Sequence, residues 1–106
     1  MNDYKLSLDL IPWINPSAGL RYKEYIKDSL KLRLVEFSDG FIEHDWCKRG
    51  HLGIVVAGRA TVVFDNGKKA VFSEGDIINI PSGDYDRHKT VINDGDSIRV
   101  LFFDMT

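Results

Sequence analysis

From Leu30 onward, short runs of β-forming residues alternate with turn-forming residues, and this pattern restricts the fold more than any other feature. Leucine and a cation alternate over 30–34, which is the two-residue period of a half-buried strand whose leucines share one face. Asn66-Gly67 lies between β-forming runs at 59–64 and 69–72 and predicts a tight hairpin. Further strands are predicted over 76–80, 87–92 and 97–104. Short, evenly spaced strands of this kind predict an all-β sandwich or barrel.

The segment that precedes these strands is expected to be an extended arm. Residues 1–19 carry two of the three prolines and end at Ser17-Ala18-Gly19, a composition that favours extended chain and loop. Ile11 and Trp13 within the arm are expected either to dock it on the body or to contact another subunit. Between arm and barrel, apolar residues over 20–30 fit both a helical stripe and strand alternation, and the β-rich surroundings favour a strand.

The chain is expected to form one domain over residues 1–106, with the barrel core at 30–104. A length of 106 residues is enough for one modest core. The net charge of −2 and the absence of a clustered basic patch argue against a nucleic-acid partner. No apolar run approaches the roughly 18 residues of a membrane span. With one cysteine, Cys47, and no signal-like leader, a cytoplasmic location is expected.

Glycine and proline spacing in the second half of the chain resembles the cupin superfamily. Its second motif is a Gly, five residues, Pro, one residue, Gly and two residues before a His, and Gly75, Pro81 and Gly83 have this spacing. Physically, Gly75 makes the turn into a strand, and Pro81 and Gly83 make the turn out of it. At the position of the motif histidine stands Asp86, with His88 two residues further on.

The chain can be aligned to the first cupin motif from its closing glycine, but it has different residues at the positions of the metal ligands. That motif is a Gly, two histidines one residue apart, a Glu and a closing Gly. Counting back from Gly58 puts His51 at the Glu position, Cys47 at the second His and Asp45 at the first. The set of three histidines and one glutamate that serves iron–oxygen chemistry is therefore not inherited.

The resemblance implies a double-stranded β-helix, or jelly-roll, barrel that dimerises and often holds a divalent metal. Residues two apart on a strand share one face. If 75–83 lies as in cupins, one set of such residues is expected to point into the barrel, namely Asp45, Cys47, Arg49 and His51. Asp86 and His88 are expected to point into it from a neighbouring strand. The predicted metal ligands are Cys47, His51, His88 and Asp86. The residues predicted to contact a ligand are Asp45, Arg49 and Phe64. Thiolate and imidazole together suit zinc, iron or copper.

Several functions stay open at this point. The favoured one is a metal-binding cupin of unassigned reaction that takes a small polar molecule. The alternatives are a non-catalytic binding module and a structural homodimer without metal. Cys47 has two further interpretations, as a buried apolar residue or as a reactive thiol with His51 as its base. His44 has the opposite parity to Cys47 and is expected outside the barrel.

Overall fold

The computed structural model describes residues 4–105, so the first three residues of the predicted arm lie outside the described part. A 3₁₀ turn at Leu8–Leu10 is the only helical element in that part. The described chain contains no helix with the length and apolar character that crossing a membrane requires. The eight strands are β1 (Ile14–Ser17), β2 (Leu20–Lys27), β3 (Leu30–Phe37), β4 (His51–Phe64), β5 (Lys69–Ser73), β6 (Ile77–Ile80), β7 (His88–Val91) and β8 (Ile98–Met105).

The ambiguous segment over 20–30 forms a β-hairpin, so the interpretation as a strand is confirmed. Strands β2 and β3 pair antiparallel from Leu20 opposite Phe37 to Lys27 opposite Leu30. Asp28 makes the turn with a positive φ of 55°, a conformation that Asp tolerates better than most residues. Cross-strand pairing therefore decides the secondary structure of this segment, whose apolar spacing alone fits both a helix and a strand.

Strand β4 organises the barrel because its two halves pair with different neighbours. Its first half pairs with β6 and β8, and its second half pairs with β5 and β7. The register against β8 shifts between Val55 and Ala57, and Gly58 follows with a φ of 76°. Such a bulge bends a strand. The outer strands β1, β2 and β3 extend the sheet from β8.

The buried apolar side chains lie in the interior of the folded sheet. Val55 and Val100 are the most deeply buried, and strands β3, β4, β6 and β8 all contribute. The full cluster is Val35, Val55, Ala60, Val62, Ile78, Ile80, Ile98, Val100 and Phe102. The predicted all-β jelly-roll architecture is confirmed, and the turn glycines Gly75 and Gly83 have the positive φ that the motif requires, 92° and 129°.

The N-terminal arm docks on the body of the same chain. Its strand β1 pairs with β2. The Trp13 ring lies 4.0 Å from the guanidinium carbon of Arg21, and Lys23 Nζ donates to the Leu8 carbonyl at 2.8 Å. Beneath them, hydrogen bonds from two arginines, Arg21 among them, hold the pKa of Glu36 below its ordinary value. Strand pairing, a hydrogen bond to the main chain and cation–π stacking thus attach the arm to the outer face of the sheet.

Candidate metal and ligand site

A cavity of about 260 Å³ lies inside the barrel. Its wall is built mainly from aliphatic and aromatic side chains. The residues of the wall that carry polar side-chain atoms are Tyr22, Arg33, Glu43, Cys47, His51, His88 and Thr90. A small apolar cavity with a few convergent polar groups is the usual form of a small-molecule site.

Three of these residues bring sulfur and nitrogen ligand atoms together. One atom each from Cys47, His51 and His88 lies within 4.8 Å of the other two. The Cys47 Sγ is 3.8 Å from His51 Nε2, and the rings of the two histidines meet edge to face at 5.2 Å between centroids. His51 opens β4 and His88 opens β7, so tertiary pairing assembles the cluster from separate parts of the chain.

Main-chain hydrogen bonds fix the loop that carries Cys47. The Cys47 N–H donates to the His88 carbonyl at 2.8 Å, and the His88 N–H donates back to the Cys47 carbonyl at 3.0 Å. Nearby, the Gly50 N–H donates to Ser82 Oγ at 2.8 Å. A Cβ on Gly50 would lie 2.6 Å from that hydroxyl oxygen, so only glycine allows this approach. The loop is therefore held against the turn of the second cupin motif.

The imidazole of His88 is buried and its orientation is set by one carbonyl. Its Nδ1 lies 2.9 Å from the main-chain oxygen of Asp86. Because a carbonyl oxygen only accepts, Nδ1 must carry the proton, and in the neutral ring Nε2 keeps its lone pair. This is the arrangement that orients a metal-binding histidine.

His51 is held neutral by its surroundings. Burial, followed by the charges of His88 and Arg33, lowers its pKa to about 4. Among the buried side-chain nitrogens and oxygens of residues 4–105, only His51 Nδ1 lacks a hydrogen-bond partner. A buried imidazole nitrogen without a partner is costly, and a ring with a free lone pair at neutral pH is ready to bind a cation. The donor set therefore fits a metal ion.

Asp45 and Arg49 do not line this cavity, and neither is one of the grouped ligand residues of the described chain. Both are exposed, and Arg49 lines a separate groove. The inward parity predicted for them assumed a continuous strand over 45–51. Instead, Cys47 makes an isolated bridge and β4 begins only at His51, so the alternation of faces does not extend across this segment.

Asp86 and Phe64 lie beside the cluster and not within it. Asp86 is not one of the three grouped residues of the described chain, and its side chain lines a second pocket together with Phe64. The contact that Asp86 makes with the cluster is through its main-chain carbonyl, which accepts from His88. The Phe64 ring lies 5.9 Å from the His88 ring and packs against the core.

Two further polar residues line the cavity, and no sequence pattern indicated them. Glu43 accepts a 2.8 Å hydrogen bond from the Thr90 N–H, and burial raises its pKa. Arg33 donates from Nε to Asp104 at 2.8 Å. In β3 the Arg33 face lines the cavity, whereas Leu34 on the other face is buried outside it. Alternation defines two faces, but only packing decides which one lines the cavity.

Comparison with solved structures shows that the chain has the fold of cupin-superfamily proteins, as its turn motif predicted. The Cupin 2 conserved barrel domain protein from Salinispora arenicola matches 97% of this chain and 87% of its own, with a TM-score of 0.68 and 18% identity. KdgF from Halomonas sp. is 26% identical over 90% of this chain and 88% of its own, with a TM-score of 0.68.

A third structure matches almost the whole chain with a higher TM-score. The polyketide cyclase RemF from Streptomyces resistomycificus matches 98% of this chain and 80% of its own, with a TM-score of 0.76 and 21% identity. No protein-family model matches the chain, and no curated protein matches it by sequence. At these identities the resemblance concerns the fold, and the chemistry has to be argued from the side chains.

Proposed function

We propose that this small cupin binds one divalent metal ion through Cys47, His51 and His88 and holds one small molecule beside it. The observation that carries the proposal is the convergence of these three ligand atoms in the wall of an apolar cavity. The reaction is unassigned. Three protein ligands leave a coordination position free, which is characteristic of metal sites that act on a bound molecule.

The donor set favours zinc, iron or copper. Thiolate and imidazole are ligands that these ions prefer over the oxygen donors of magnesium or calcium. Tetrahedral zinc with ordinary bond lengths separates sulfur and nitrogen ligands by about 3.5 Å, close to the 3.8 Å between Cys47 Sγ and His51 Nε2. When bound, such an ion would polarise an oxygen atom of the small molecule.

Asp86 acts in this proposal through its main chain. Its carbonyl holds the His88 ring, and its carboxylate stays outside the ligand set. A carbonyl is retained in every substitution of Asp86, so Asp86→Ala should keep the metal. If Asp86→Ala loses the metal as completely as His51→Ala, the carboxylate is a ligand, as the spacing of the second cupin motif suggested.

Elemental analysis of untagged protein tests the site. We expect about one metal ion per chain in the wild type after reconstitution with zinc, iron or copper. Cys47→Ser and His51→Ala should each reduce the bound metal at least tenfold. His44→Ala is the matched control, since His44 is exposed and is not among the grouped ligands of the described chain. Cobalt substitution adds a second measurement, because a thiolate ligand gives cobalt an intense near-ultraviolet absorption band.

Wild-type protein that stays metal-free with all three metals would overturn the proposal. So would undiminished binding in both Cys47→Ser and His51→Ala. For the non-catalytic alternative, a small molecule recovered unchanged after long incubation with the metal-loaded protein indicates a binding module.

We further propose that the chain is a cytoplasmic homodimer. A reducing compartment keeps Cys47 available as a thiol. One outer face of the sheet supports the dimer, because Leu52, Ile54, Ile77 and Phe103 lie together on it with 37–66% of their surface exposed. A patch that pairs with its own copy satisfies two-fold symmetry. Light scattering should show a dimer for the wild type and a monomer for Ile77→Glu; a monomeric wild type would contradict this.

A further inference from the structure

We infer that the cavity takes a small organic carboxylate with an apolar body, and that Arg33 binds its carboxylate group. The inference deepens the proposed function and rests on its premise that the cavity holds a small molecule. It concerns the part of the cavity wall beyond the three predicted metal ligands. Arg33 enters the cavity from β3, on the face that also carries Val35 and Phe37.

The guanidinium of Arg33 has an edge available for a ligand. Only 20% of its side chain is exposed, and its Nε is used by Asp104 at 2.8 Å. No hydrogen bond among the described residues uses its two Nη atoms. A guanidinium is planar and presents pairs of parallel N–H groups that match a carboxylate. One edge of Arg33 is thus anchored, and the other remains free at the cavity.

Asp104 has the role of positioning Arg33. It is buried, with 8% of its surface exposed, and a lone buried carboxylate would be costly without a partner. The pair fixes the arginine while neutralising its charge within the protein. Because a fixed donor loses little entropy when it binds, the anchored guanidinium is suited to orient a ligand and not merely to attract it.

The remainder of the wall selects for an apolar body. Aromatic rings and branched aliphatic side chains form most of it, including Phe37, Phe41 and Phe102. The volume of about 260 Å³ is slightly below the usual range of ligand pockets, about 300–1,000 Å³. Such a cavity accommodates one ring or a short branched chain. A polyhydroxylated ligand would leave hydroxyl groups without partners along the apolar part of this wall.

A monoanion fits the charges better than a dianion does. Arg33 is the only lysine or arginine that lines the cavity within residues 4–105, and Asp104 already shares its charge. A phosphate monoester would bring a second negative charge near Glu43, with no further cation to compensate. A carboxylate uses both N–H groups of the free edge and adds a single charge.

The test measures binding by calorimetry with three probe acids, benzoate, phenylacetate and cyclohexanecarboxylate. Each acid is compared with its neutral amide, and phenyl phosphate is included as the dianionic probe. Every titration is run on chelator-treated protein and on zinc-loaded protein. Running both forms separates this inference from the metal site, because Arg33 should discriminate acid from amide even without metal.

Binding is compared in four proteins, the wild type and three variants. Asp104→Asn keeps Arg33, whereas Arg33→Gln with Asp104→Asn removes both charges and leaves no unpaired buried ion. Arg59→Gln is the matched control, since Arg59 also pairs with an aspartate, Asp96, but does not line this cavity. We expect at least one acid to bind at least tenfold tighter than its amide in wild type and Arg59→Gln. Asp104→Asn, which keeps Arg33 but removes the carboxylate that positions it, should show a smaller preference that stays above about twofold.

In the double variant this preference for the acid should fall below about twofold while binding of the amide is unchanged. The inference is overturned if no acid is preferred over its amide in wild type, or if the preference survives in the double variant. It is also overturned if phenyl phosphate binds more tightly than all three acids. If the preference for the acid appears only in zinc-loaded protein and is the same in the double variant, the carboxylate binds the metal, and the role of Arg33 is likewise refuted.

Discussion

Acidification should destabilise the metal-free protein through His51. The folded chain holds the pKa of this imidazole at about 4, mainly because the ring is buried, whereas in the unfolded chain it returns to about 6.5. Between these values the unfolded state binds a proton that the folded state does not. Stability is therefore complete above about pH 6.5 and is lost as the pH falls towards 4.

The size of the effect follows from the two pKa values. Linkage gives a loss of about 1.4 kcal/mol at pH 5.5 and about 2.5 kcal/mol at pH 4.5, relative to neutral pH. With a urea dependence of about 1.5 kcal/mol/M, the larger loss lowers the midpoint by more than 1 M. Two carboxyl groups with shifted pKa values also change the stability in this pH range. The pKa of Glu36 is lowered, so its contribution to stability falls on acidification, as that of His51 does. The pKa of Glu43 is raised, so its contribution changes in the opposite direction.

Urea unfolding of chelator-treated wild type and His51→Gln, from pH 7.5 to 4.5, isolates the contribution of His51 to the pH dependence of stability. Gln preserves polarity but does not titrate, so the contributions of Glu36 and Glu43 cancel in the difference. We expect the wild type to lose about 2.5 kcal/mol more than the variant. Part of this difference comes from the charge of His88, which also disfavours protonation of His51.

Equal pH dependence in the two proteins would refute this reasoning. It would mean that the His51 ring is hydrated in solution and that its Nδ1 is not isolated from water. A proton titration of the ring by NMR, with a midpoint near 6.5, would refute it as well, independently of unfolding.

Three further outcomes are expected from the packing. Val100→Ala should cost about 2–3 kcal/mol in urea unfolding because Val100 is 1% exposed, whereas Val71→Ala, at 62% exposure, should stay within about 0.5 kcal/mol; equal costs would contradict the assigned core. Gly50→Ala should cost about 1–3 kcal/mol and weaken metal binding, because its Cβ would lie 2.6 Å from the nearest atom; a neutral substitution would show that the loop yields. Trp13→Ala should speed tryptic release of the arm in mass spectra, since the ring stacks on Arg21; unchanged cleavage would show that β1 pairing alone holds it.

The turn chemistry and strand alternation predicted an all-β sandwich or barrel, and the resemblance to the cupin superfamily implied the jelly-roll form of it. Gly75 and Gly83 adopt positive φ, and glycine is the residue that tolerates it, so the local conformation could be predicted from residue type. The hairpin at Asn66-Gly67 joins β4 to β5 where the dipeptide predicted it. These signals are local, and they survive in the folded chain because tertiary packing does not oppose them.

The site was less accessible from the sequence because it depends on contacts between distant residues. His51 and His88 lie 37 positions apart in the printed sequence, yet their rings are 5.2 Å apart between centroids. Parity counting grouped Asp45 and Arg49 with Cys47, but the loop before β4 is not a strand, so the two-residue period has no meaning there.

By itself, the sequence determined the all-β class and the main turns, because backbone preferences act over a few residues, and the resemblance of its Gly and Pro spacing to the cupin superfamily implied the barrel. Only the tertiary structure decided which face of β3 points inward, and with it the presence of Arg33 in the cavity. Alternation is symmetric between the two faces, and burial against neighbouring strands breaks that symmetry. The same packing determined that the main-chain carbonyl of Asp86 contacts His88. The identity of a residue does not determine which way its main-chain carbonyl points.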